Sequence, residues 1–213
     1  AHIRVRLGSL EPRTITPEFC RRAAALPNLC PHSHLSMQSG CDSVLARMNR
    51  KYDSERYYES VRLLNEAYET PGITTDLIVG FPGETEEEFQ QTLAFIRRCA
   101  FSAMHIFPYS RRPGTPADGM PGQILNSVKE ERAHRAQQAA LEMEAAYLDR
   151  WVGRTVPVLF EEERDGLWRG HTTRYSEVAA PSGENLHNQL RQVYIIGRAG
   201  NILQGELCEG QEK

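Results

Sequence analysis

The chain has 213 residues, 40% of them hydrophobic and 25% charged, with 25 Lys and Arg against 28 Asp and Glu and a net charge of -3. This is a globular composition with enough chain to bury a core. It excludes a disordered tail and a strongly basic packaging protein, so any nucleic-acid contact must come from local patches. No apolar run reaches the length of about 18 residues that a transmembrane helix needs, and the first residues, AHIRVRLGSL, do not read as a signal peptide.

The first part of the chain alternates strand and helix. Ile3 to Leu10 alternates apolar and polar residues and predicts a strand. Thr16-Pro17-Glu18 combines an N-cap, a first-turn proline and an acid, and predicts a helix to about Leu26. His34 to Ser39 reads as a second strand, Cys41 to Arg50 as a short helix, and Asp53 to about Glu69 as a longer one. Ile73 to Phe81 carries the apolar run of a buried parallel strand. Thr85, followed by Glu86, Glu87 and Glu88, caps the next helix, and Ala103 to Ser110 is a fourth strand. A long helix is expected from about Gln123 to Trp151. Beyond Gly153, short alternating stretches separated by Gly and Asn predict an all-β module. The expected organisation is an α/β domain over residues 1–150 and a small β-barrel over 151–213.

Chemistry in parallel βα folds gathers at the carboxyl ends of the strands. Those ends are polar here: Ser9, Glu11 and Arg13; Ser36, Gln38 and Ser39; Asp76; and His105, Tyr109 and Ser110. GFPGET, at Gly80 to Thr85, lacks the signatures of a phosphate loop, and helix capping is sufficient to explain its acids. Arg47, Arg50 and Lys51 form a basic cluster that could meet a carboxylate or phosphate, or simply face solvent. In the β module, Trp168, Arg169, His171, Arg174 and Tyr175 crowd one segment, the mixture of charge and flat rings that single-stranded RNA contact requires. The five cysteines, none closer than ten residues to the next, offer no CxxC or CxxxCxxC spacing. Reduced thiols in a cytoplasmic protein are expected.

Three ordered segments, PHSHLSMQSGCDSVLARMNRKY, ITTDLIVGFPGETEEEF and MHIFPYSRRPGTPA, resemble the radical S-adenosylmethionine methylthiotransferases. The form of MNRKY and HIFPYS is most similar to the tRNA enzymes that place a methylthio group on C2 of N6-threonylcarbamoyl-adenosine beside the anticodon. GHTTRYSEV and ILQGEL resemble a TRAM domain, an OB-like β-barrel. The resemblance implies the C-terminal part of a partial (βα)6 radical SAM barrel followed by TRAM. It also implies S-adenosylmethionine as cofactor, with Glu11, Ser36, Gln38, Arg50, Asp76 and Phe107 lining its pocket. Arg169, His171, Arg174 and Tyr175 are the expected RNA contacts, and the tRNA anticodon arm the expected partner.

The family's 4Fe-4S clusters need thiolate sets that this chain does not contain. The chain is therefore expected to be inactive alone, to require an N-terminal cluster-bearing portion, and to self-associate through open strand edges. The alternative is a stand-alone RNA-binding module with a non-catalytic half barrel.

Overall fold

The structure is a computed structural model that describes residues 3–208. The chain opens with β1 (Ser9–Leu10), a single 3-10 turn (Pro12–Thr14) and α1 (Pro17–Ala24). It continues through β2 (His32–Leu35), α2 (Asp42–Arg47), α3 (Ser54–Ala67), β3 (Gly72–Val79), α4 (Glu86–Cys99) and β4 (Ala103–Pro108). The long α5 (Asn126–Asp149) then leads to β5 (Thr155–Arg164), β6 (Leu167–Thr172), β7 (Glu177–Ala180), β8 (Leu190–Ala199) and β9 (Ile202–Leu207). None of the described helices is long and apolar enough to cross a membrane.

β1 to β4 form one parallel sheet in sequence order, joined by helical crossovers. The caps are those the local sequence encodes. The Thr16 hydroxyl accepts from the Phe19 amide, and the Asp53 carboxylate accepts from the Arg56 amide. Thr85 and Glu88 form a reciprocal capping box. β1 is much shorter than the alternation from Ile3 implied. Val5 bridges only to Leu29, and regular pairing with β2 starts at Ser9 opposite His34. Among the described residues β1 is an edge strand paired to β2 alone.

The helices cover one face of the sheet. Ile73, Thr75, Leu77 and Val79 of β3 point into that layer and are buried, with Tyr57, Phe89, Ile96 and Phe101 packed around them. Thr74, Asp76 and Ile78 alternate with them on the opposite, half-open face. Gln38 continues β2 by bridging Leu77, its amide donating to the Asp76 carbonyl at 2.9 Å and its carbonyl accepting from Ile78 at 2.9 Å. Its φ of 69° is in the left-handed region, a conformation that costs a non-glycine residue about 1–2 kcal/mol.

β5 to β9 close into a five-stranded barrel in the order β5-β6-β7-β9-β8, around Val158, Phe160, Val178, Val193, Ile195 and Leu203. The end of α5 supplies Tyr147 and Leu148 to this core, and Trp151 follows them. At Gly72, a Cβ atom would lie 2.3 Å from the Arg174 carbonyl, so the small barrel approaches the sheet where only glycine fits.

Candidate functional site

The open face of the sheet carries a row of polar side chains in register. Ser9, His34, Thr74 and Ala103 stand side by side, and Asp76 lies opposite His105 one step further toward the carboxyl ends. The next step places Ile78 beside Phe107, whose ring is 51% exposed. A hydrogen-bonded chain runs along this face. His34 Nε2 donates to Asp76 Oδ2 at 3.2 Å, and Thr74 Oγ1 donates to His34 Nδ1 at 3.0 Å. His32 Nε2 in turn donates to Thr74 Oγ1 at 3.4 Å. This is the tautomer assignment that satisfies all three contacts. Burial, with Arg6 and His34 nearby, lowers the His32 pKa to about 4 and keeps the ring neutral, and its Nδ1 is buried with no hydrogen-bond partner.

At the carboxyl end of β2 the backbone is pinned from the helix side. The Tyr57 hydroxyl donates to the Leu35 carbonyl at 2.9 Å. The Tyr52 hydroxyl donates to the Ser36 carbonyl at 2.8 Å and also lies 3.0 Å from that of Met37. Burial raises the Tyr52 pKa, while neighbouring Arg50 lowers it and Glu11 raises it. Glu11, Ser36, Arg50 and Tyr52 therefore gather at the ends of β1 and β2, with the Gln38 backbone continuing β2 alongside β3. Asp76 stands mid-strand on the open face of β3, and Phe107 lies one residue from the carboxyl end of β4. This rim combines carboxylates, a guanidinium, amide and hydroxyl groups and an exposed ring. That donor set fits S-adenosylmethionine, which presents an ammonium and carboxylate, ribose hydroxyls and a flat purine. Tyr52, which anchors the Ser36 and Met37 carbonyls, carries no signal of its role in the sequence beyond standing next to Arg50 and Lys51.

The cysteines do not come together as a ligand set for an iron-sulfur cluster among the described residues. Among the described residues no group of three or more His, Cys, Asp and Glu side chains could hold a metal. Cys20, Cys41 and Cys99 are buried separately, and burial pushes the Cys99 thiol up to about 12. Cys41 Sγ lies 3.2 Å from both Ser43 Oγ and Gln91 Oε1.

The basic cluster splits. Arg47 forms a fork to Glu88 at 2.9 and 2.6 Å and holds that carboxyl down at about 2, whereas Arg50 and Lys51 remain exposed. GFPGET is also more than a cap. Glu84 is buried, accepting from the Gly80 amide at 2.9 Å and from Arg132 at 2.8 Å.

Of the four side chains expected to contact RNA, His171, Arg174 and Tyr175 line a cleft of ≈ 470 Å³ between the small barrel and the amino ends of the sheet strands, and Arg169 lies outside it. The Arg174 guanidinium donates to the carbonyls of Thr70 at 2.8 Å and Glu69 at 2.9 Å and lies over the Trp151 ring. Tyr175 is stacked on His171 at 4.6 Å, has the Arg6 guanidinium 3.5 Å from its ring centroid, and meets the His32 ring edge-on. His171 pairs with Glu161 at 2.8 Å, and Arg169 with Glu177 at 3.3 Å. Arg174 and Tyr175 thus join the two parts of the molecule, whereas the His171 and Arg169 pairs stay within the small barrel. Nothing in the spacing of this segment distinguished such a joint from an RNA face.

Comparison with known proteins agrees with the architecture. Residues 2–96 match the model of the Radical SAM superfamily. The chain is 35% identical over 198 residues to the threonylcarbamoyladenosine tRNA methylthiotransferase MtaB of Bacillus subtilis, covering 91% of this chain and 44% of that protein. It is 43% identical over 180 residues to the tRNA-2-methylthio-N(6)-dimethylallyladenosine synthase of Oleidesulfovibrio alaskensis, covering 84% and 39%. It thus spans less than half the length of these curated relatives. Among solved structures, the coproporphyrinogen III oxidase HemN of Escherichia coli, a radical SAM enzyme, aligns with a TM-score of 0.53 at 20% identity, over 67% of this chain and 32% of that one. At that identity the likeness speaks to the fold alone. Sequence kinship over most of the chain and a shared fold lead to one assignment: the chain belongs to the radical SAM methylthiotransferase family.

Proposed function

We propose that this chain forms the cofactor wall and RNA-holding part of a tRNA methylthiotransferase acting on C2 of N6-threonylcarbamoyl-adenosine next to the anticodon. The observation that carries the reading is identity of 35–43% to tRNA-modifying relatives over 84–91% of the chain. Relatives of both the threonylcarbamoyl and the dimethylallyl kind align, and the MNRKY and HIFPYS segments favour the former. S-adenosylmethionine, when bound, supplies the sulfonium chemistry. In this reading Arg50 takes the cofactor carboxylate, Glu11 and Asp76 take ammonium or ribose hydroxyls, Ser36 and Gln38 line the wall between them, and Phe107 and its backbone edge meet the adenine. His34 holds the Asp76 carboxylate in place.

The cluster ligands belong to a further portion of the enzyme, which would also cover the sheet edges at β1 and β4. The five-stranded barrel acts as a TRAM module on the tRNA anticodon arm, and the setting is the cytoplasm.

The test is titration of the isolated chain with S-adenosylmethionine and, separately, with an anticodon stem-loop. Saturable cofactor binding that weakens in Asp76→Asn supports the reading. RNA binding with no cofactor binding would favour a stand-alone RNA-binding module instead.

A further inference from the structure

α5 does more than link the two parts of the chain. Its first turns carry two charged side chains that are buried, Lys129 at 6% and Arg132 at 5% exposure. Burying a charge is costly unless it is paired, so their partners indicate what the helix is built to hold. Lys129 Nζ donates to the Tyr109 carbonyl at 3.0 Å, one residue beyond β4. Its aliphatic stem fills the space beside Gly80. A Cβ there would lie 2.4 Å from Lys129 Cγ, and the Gly80 φ of +71° also favours glycine. One turn later, Arg132 donates to the Glu84 carbonyl at 3.0 Å and its carboxylate at 2.8 Å. That same carboxylate accepts from the Gly80 amide at 2.9 Å. The Tyr109 amide in turn donates to the Val79 carbonyl at 2.8 Å. One face of α5 therefore grips the loops after both β3 and β4.

We propose that Lys129 is a positioning residue that fixes the carboxyl end of β4, and with it the Phe107–Tyr109 edge of the cofactor rim. Lys129 acts through the Tyr109 carbonyl. The far end of the same helix is seated in the core of the small barrel through Tyr147 and Leu148. α5 thus ties the rim rigidly to the small barrel. The role in cofactor binding rests on the reading of the rim given above, but the positioning of β4 does not, and the experiment separates them.

Lys129→Met removes the donor and keeps the stem beside Gly80. Residue-resolved amide exchange is expected to show the Tyr109 amide at least tenfold faster, with the Leu77 and Gly80 amides unchanged. S-adenosylmethionine affinity should fall about tenfold, and Lys129→Arg, which restores a donor, should recover both. Ala136→Gly serves as a control for general loss of helix and packing stability, since it is buried in the core one turn beyond Arg132. Unchanged Tyr109 protection in Lys129→Met would overturn the proposal. So would exchange that quickens equally throughout the sheet, or a loss of affinity as large in Ala136→Gly. If the unsubstituted chain binds no cofactor, the reading of the rim fails, and the Tyr109 amide alone still decides whether Lys129 positions β4.

Discussion

Removing Arg132 gives the sharpest test of the energetics. Its side chain is 6% exposed and that of Glu84 2%, and they meet at 2.8 Å. Replacing one partner of such a pair leaves the other charge buried and unpaired, which costs about 3–5 kcal/mol. That is a large fraction of a typical domain stability of about 5–15 kcal/mol. Arg132→Met is therefore expected to lose about 3–5 kcal/mol. Glu84→Gln with Arg132→Met should cost much less than the sum of the single changes, with a coupling of about 2–3 kcal/mol. Urea unfolding followed by far-ultraviolet circular dichroism measures this, because all five helices lie between Pro17 and Asp149. Burial already raises the Glu84 pKa, against the pull of the Gly80 amide and Arg132. In Arg132→Met that rise keeps the opposition of the Gly80 amide but loses that of Arg132, and the folded state binds the proton more tightly than the unfolded one. The defect should then shrink as pH falls through the carboxylate range. A loss under 1 kcal/mol, or strictly additive single changes, would refute the claim that a buried, coupled pair holds this loop.

Other outcomes follow from the same structure. The His32 ring titrates near 4 when folded against 6.5 when unfolded, so the unfolded state binds the extra proton between those values. Its contribution is present above pH 6.5 and is lost as pH falls to about 4, a change of about 3 kcal/mol. His32→Asn should flatten stability over that window in a pH series of urea titrations. Glu88 acts lower, its contribution being lost as pH falls from 4.5 to about 2, and Arg47→Met should shrink that loss, leaving the part due to Ser43 and the Thr85 amide. Arg174→Met loses two hydrogen bonds to carbonyl groups and should destabilise the joint by about 2–4 kcal/mol. Its anticodon stem-loop affinity should stay within twofold of the parent, whereas an RNA contact would lose more.

The α/β order was legible because its signals are local. Thr16 before Pro17, Asp53 before Ser54 and Thr85 with Glu88 each mark a helix start through bonds spanning three residues. The apolar run of β3 likewise marked a buried parallel strand, and only the structure shows which of its residues face the helices. Long-range commitments were not legible. Glu84 reads as one more acid of a helix start, and only the path of α5 brings Arg132 to it. Arg174 and Tyr175 read as an exposed basic and aromatic patch, and only the docking of the small barrel places them on Thr70, Glu69, His32 and Arg6. The rim residues became visible through family resemblance, and the structure adds how Tyr52 and His34 hold them.

The most direct test of the central claim is the nucleoside composition of tRNA from the source organism, with and without the gene that encodes this chain. Mass spectrometry of digested tRNA is expected to show 2-methylthio-N6-threonylcarbamoyl-adenosine in the parent. In the deletion strain that nucleoside should be replaced by N6-threonylcarbamoyl-adenosine, and re-expression of the gene should restore it. An unchanged nucleoside profile, or loss of a methylthio group from a different adenosine, would contradict the assignment.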